Sequence, residues 1–173
     1  MKQNTAPEIS EIELEPYLDM ELFMILSQNK RLDRTTADIV EEYWPLWRER
    51  IQARRIVTGK QGYVVVWLDE YIENEVASAW DSSPSRAFTM NTLAQAMLMA
   101  TVRDLVPEAA ASHCAPVPKP TASLKSALET LGLSWTEHNT LTRQYAMLTY
   151  APYKGGCPVC FLNKTCPNAN TAR

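Results

Sequence analysis

The stretch Gly62-Tyr-Val-Val-Val-Trp-Leu-Asp-Glu-Tyr-Ile-Glu-Asn-Glu-Val-Ala-Ser-Ala-Trp80 decides the fold class of this chain. Its opening triplet Val64-Val65-Val66 suits a strand, because β-branched side chains pack well on a pleated surface. The apolar residues that follow, Trp67, Leu68, Tyr71, Ile72, Val76, Ala79 and Trp80, recur instead at helical spacing. A helix through the whole stretch satisfies more of these positions, and it makes the protein mainly α, a single helical domain.

The flanking sequence reads the same way. Upstream, Leu18, Leu22, Phe23 and Leu26 form the stripe of a short helix opened by Glu15-Pro16-Tyr17. Thr35 and Thr36 are suited to cap a second helix carrying Ile39, Val40, Tyr43, Trp44, Trp47 and Ile51, with a kink or break at Pro45. Downstream, Asp81-Ser82-Ser83-Pro84 is a helix start, and the helix it opens ends by Val106-Pro107. Met90, Met97 and Met99 lie among aliphatic neighbours, so this is a core helix rather than a methionine metal site. Four prolines mark residues 107–120 as a linker; a helix over 121–131 ends at Gly132, and Ser134-Trp-Thr-Glu137 resembles a capping box for a last helix over 134–150. Residues 1–15 are polar and acidic and read as a flexible arm. The expected organisation is therefore an arm over 1–15, a helical domain over 16–150 and a Cys-rich tail over 151–173.

Composition excludes several function classes. With 17 basic and 20 acidic residues the net charge is −3, so nothing pulls the chain as a whole toward nucleic acid or anionic membranes. No apolar run approaches the roughly 20 residues of a membrane helix. The N-terminus lacks the apolar core of a secretory signal, which makes the cytoplasm the expected compartment. There is no Gly-x-Gly-x-x-Gly, no phosphate-binding loop with Lys-Ser/Thr and no Gly-x-Ser-x-Gly elbow.

The cysteines carry the strongest chemical signal. Three of the four cluster in Cys157-Pro-Val-Cys160-Phe-Leu-Asn-Lys-Thr-Cys166-Pro. Two residues between Cys157 and Cys160 let the chain turn back so that both sulfurs face one concavity, and Cys166 can return to the same centre. Gly155-Gly156 permits the unusual dihedrals of a tight loop, while Pro158 and Pro167 each follow a cysteine, as in the Cys-Pro ending of bacterial ferredoxin motifs. Cys114, in the Pro-rich linker, supplies the fourth thiolate, brought round by an antiparallel pair formed by the last two helices. Four thiolates favour a [4Fe–4S] cluster. Zinc, held by the same set or with His113 in place of Cys114, is the alternative, although structural zinc sites more often use two short paired motifs.

The spacing Cys157-x2-Cys160-x5-Cys166 resembles the end of the cluster loop in endonuclease III-like DNA glycosylases and in the NifQ family of molybdenum-donor proteins. One distant cysteine with three near the C-terminus also resembles the layout of RecB-like nucleases of CRISPR systems. These resemblances imply a cluster as cofactor. They imply no shared activity, because neither the Asp and Glu-x-Lys nuclease signature nor a helix–hairpin–helix glycine motif is present.

Other candidate residues have plainer readings. His113 adjoins Cys114 and can tune or ligate a metal group, but an exposed loop histidine is more often an ordinary polar residue; His138 reads as surface. Asp69, Glu70, Glu73 and Glu75 spread around a solvated helical arc. Arg48, Arg50, Arg54, Arg55 and Lys60, near Trp44 and Trp47, invite a nucleic-acid reading, yet a solvated helix face with the tryptophans in the core is simpler. The expectation is a cluster-binding protein in electron transfer, redox sensing or metallocofactor assembly, working with a protein partner. Four committed thiolates leave no open coordination site, which favours a non-enzymatic role. The alternatives are a nucleic-acid-processing or regulatory protein with a structural cluster, and a zinc-stabilised interaction module.

Overall fold

In the computed structural model, which describes residues 6–111, 114–138, 140–167 and 169, the deciding stretch splits at Asp69. Four antiparallel strands form one sheet in the order β1 (Glu8–Glu11), β2 (Ile51–Thr58), β3 (Gln61–Leu68) and β4 (Ala146–Tyr150). The protein is thus mixed α/β, and the expectation of a mainly α fold is corrected. The helical spacing is real, but it begins only at α3 (Glu70–Ser82), whose first turn is capped by the Asp69 side chain accepting from the Ile72 amide. Before it, Tyr63 through Leu68 are all buried because β3 is covered on both faces. An unbroken apolar run of this kind has no alternation to reveal it as a strand.

Val64, Val66 and Leu68 face the larger core with Phe23, Trp47, Ile72 and the long helix α4 (Pro84–Leu105). Tyr63, Val65 and Trp67 face a smaller core closed by α6 (Ala122–Thr130) through Leu124, Ala127 and Leu128. The remaining helices, α1 (Met20–Ser27), α2 (Arg34–Trp47) and the short α5 (Pro107–Ala111), complete the layer around α4. Asp19, Asp33, Ser83 and Thr121 cap α1, α2, α4 and α6 with side-chain oxygens. The core helix after Pro84 and the helix ending before Gly132 therefore stand where sequence puts them, and Met90 and Met97 are buried in the core.

Three further expectations change. Part of the arm over 1–15 is β1, held to β2 with Glu8 opposite Val57 and Glu11 opposite Arg54. Pro45 sits in the last turn of a single helix, which passes into a 3-10 turn at Arg48–Arg50. The helix expected over 134–150 is absent: Trp135 bridges Leu141, followed by β4. Local bonds offer the backbone another course there, with the Thr142 amide donating to the Ser134 carbonyl and the Thr140 amide to Thr136 Oγ1. No helix of the described residues is long and apolar enough to cross a membrane.

Candidate metal centre

The linker after α5 has to pass from one face of the sheet to the other. Ala115 packs with the larger core, whereas α6 closes the smaller one, and the chain between them rounds the edge at β4. Thr149, fully buried in β4, donates its hydroxyl to the Pro116 carbonyl at 3.0 Å and ties the linker to the sheet. This crossing replaces the antiparallel helical pair expected to carry Cys114 to the C-terminal loop.

The loop then closes on the linker. Gly155 and Gly156 both have positive φ, 24° and 72°, and deliver the chain into a 3-10 turn at Cys157–Val159. The Cys160 amide donates to the Cys157 carbonyl at 3.2 Å, the Asn163 amide to the Cys160 carbonyl at 3.1 Å and the Cys166 amide to the Leu162 carbonyl at 2.9 Å, winding the three cysteines into one coil. Two bonds join this coil to the linker. The Val117 amide donates to Cys160 Sγ at 3.4 Å, and the Phe161 amide donates to the Val117 carbonyl at 2.8 Å.

Cys157, Cys160 and Cys166 are half-buried and Cys114 is exposed. Although open on one side, Cys114 lines a recess with Met99, Val102 and Met147. Burial pushes its thiol pKa up, and the neighbouring Cys160, Cys157 and Cys166 push it further. The four sulfurs thus share one electrostatic neighbourhood, although the linker and loop are far apart in sequence. No three His, Cys, Asp or Glu side chains among the described residues come together as ligands of a single metal ion. His113 lies outside the described residues.

Several of the other candidates are engaged with partners of their own, while Arg55 and Lys60 are exposed. His138 is exposed beside Glu137. The basic stretch is not a helix face: Arg50 pairs with Asp69 at 2.8 Å and stacks on Tyr71, Arg54 pairs with Glu11 at 3.4 Å, and Arg48 pairs with Glu49 at 3.2 Å. Trp47 is fully buried and Trp44 partly so. The acidic group is also less solvated than its spacing suggests, because Glu73 accepts from the Gln144 amide at 2.7 Å and from Arg143 at 3.2 Å. Val117, Pro116 and Thr149 organise the cysteine region and escaped the sequence reading. The one local hint was the β-compatible run Ala146-Met-Leu-Thr-Tyr150.

Known protein families, curated proteins and solved structures offer no match to this chain.

Proposed function

We propose that the protein binds an iron–sulfur cluster at Cys114, Cys157, Cys160 and Cys166, and that it serves electron transfer or redox sensing with a protein partner. One observation carries this reading: a linker amide already donates to a cysteine sulfur, Val117 to Cys160, between the two segments that supply the thiolates. Amide-to-sulfur bonds are a main means by which proteins hold such clusters and set their potentials.

The donor set fits the group. Four thiolates are the all-cysteine complement of a [4Fe–4S] cluster. The linker and loop thiols lie in one neighbourhood, since Cys160, Cys157 and Cys166 all act on the Cys114 thiol. When bound, the cluster supplies one-electron exchange. The chain's own residues do the rest: Val117 fixes Cys160 and the Phe161 bond keeps linker and loop in register. The exposure of Cys114 leaves one side open to a partner.

Four committed thiolates leave no site for substrate at the metal, so a carrier or sensor role is favoured over catalysis. Cytoplasmic conditions, which keep thiols reduced, suit this chemistry. In the basic stretch Arg50 and Arg54 are paired with carboxylates, which weighs against the nucleic-acid reading, while Arg55 and Lys60 are exposed.

Anaerobic purification with iron, sulfide and zinc analysis tests the proposal. Iron and sulfide in near-equal amounts, with absorption near about 400 nm that bleaches reversibly on reduction, is the expected result. A colourless protein holding one zinc per chain would overturn it.

A further inference from the structure

Gly156-Cys157-Pro158-Val159-Cys160 is a closed turn as well as a set of ligands. Gly156, with φ 72°, leads the chain into it, and Pro158 stands directly after Cys157, where its fixed φ favours such a turn. The Cys160 amide closes the turn on the Cys157 carbonyl at 3.2 Å. A turn closed in this way holds the α-carbons of its first and last residues within about 7 Å, and disulfides span about 4.4–6.8 Å between α-carbons. The local backbone alone therefore brings Cys157 and Cys160 within disulfide reach.

The other two cysteines are placed less well for this bond. Cys166 lies further along the coil, its amide tied to the Leu162 carbonyl at 2.9 Å. Cys114 belongs to the linker, and burial, with the three loop sulfurs, pushes its pKa up and keeps it a thiol, the poorer nucleophile in exchange. A bond between Cys157 and Cys160 closes a loop of only four residues. It adds little to folding stability, since that contribution grows with loop length, so its state follows the redox poise of the surroundings. Disulfides in reducing compartments are of this transient, sensing kind.

We infer that Cys157 and Cys160 are a reversible dithiol–disulfide pair, closed by glutathione disulfide when no metal group occupies them. The thiolate of one cysteine attacks a sulfur of glutathione disulfide and releases one glutathione thiolate. The thiolate of the other attacks the mixed disulfide, forming the Cys157–Cys160 bond and releasing the second. The protein gives up two electrons and two protons, and one glutathione disulfide becomes two glutathione molecules. A second consequence rests on the cluster reading: oxidation withdraws two of the four ligands, so only the dithiol form can be loaded.

The test uses the full-length protein, stripped of metal by a chelator under reducing conditions and equilibrated anaerobically in glutathione buffers of graded ratio. Alkylation and peptide mass spectrometry should show Cys157 and Cys160 leaving the alkylated pool together along one curve, with Cys114 and Cys166 still alkylated. Cys157→Ser and Cys160→Ser should each abolish the transition while the circular dichroism spectrum is retained, and Cys114→Ser should leave it in place. Pairing through Cys114 or Cys166, a lasting mixed disulfide instead of ring closure, or four thiols still alkylated in excess glutathione disulfide would overturn the inference. Iron and sulfide are then offered to the oxidised and reduced forms. Uptake only after reduction with dithiothreitol is expected, and equal uptake by the oxidised form would overturn the control of loading. Uptake by neither form, with the disulfide formed, would sink the cluster reading and leave the disulfide pair standing.

Discussion

The Val117 amide donates to the sulfur of Cys160 at 3.4 Å, while the Val117 carbonyl accepts from the next residue of the loop, Phe161, at 2.8 Å. One linker residue thus grips the cysteine loop by both of its main-chain groups. The position of Cys114, three residues earlier, follows from that grip.

If Cys114 is the fourth ligand, Cys114→Ser should lower iron content and absorption near about 400 nm about as severely as Cys160→Ser. Side-by-side anaerobic preparations make the comparison. A cluster unaffected by the Cys114 change would move the fourth ligand elsewhere.

Val117→Pro removes the amide that reaches Cys160 and keeps the carbonyl that serves Phe161. Loss of a bond to a cluster sulfur should make the reduction potential more negative, and loss of the linker contact should destabilise the protein by about 1 kcal/mol. Potentiometric titration and urea unfolding read the two effects separately.

Tyr145 is buried and donates to Asn91 Oδ1 at 2.8 Å. Burial, with a smaller contribution from the Glu73 charge, pushes its phenol up to about 12. The folded state therefore holds the proton more tightly than the unfolded chain. The resulting stability is fully present below the ordinary tyrosine value of about 10 and is lost as pH rises toward about 12, on the order of 3 kcal/mol in all. Tyr145→Phe should flatten unfolding free energy against pH over that window. An unchanged alkaline slope would show that another group carries it.

Gly62 has no room for a side chain, because a Cβ there would collide with the Ala151 carbonyl oxygen, which is main chain and cannot swing away. Gly62→Ala should part the end of β4 from β3 and cost a few kcal/mol, within the range of overpacked core positions. Gly59 has φ 61° and open space around it, so Gly59→Ala should cost only about 1 kcal/mol, from backbone conformation alone. Denaturant midpoints of the two variants should differ accordingly.

Sequence alone determined what is encoded within a few residues. The cap at Ser83 with Pro84, the stop at Gly132, the core character of Met90 and Met97 and the Cys157-x2-Cys160-x5-Cys166 spacing are all local, and each was legible. Tertiary structure alone decided the rest. Gln61–Leu68 is a strand because helices cover both its faces, and that double burial erased the alternation that would have announced it. Ala146–Tyr150 and Glu8–Glu11 became strands by finding partners distant in sequence, which no local propensity specifies. The nearness of Cys114 to the other cysteines belongs to the same class. It follows from Thr149 holding Pro116 and Val117 holding Cys160, long-range bonds that exist only once the linker has rounded the edge of the sheet.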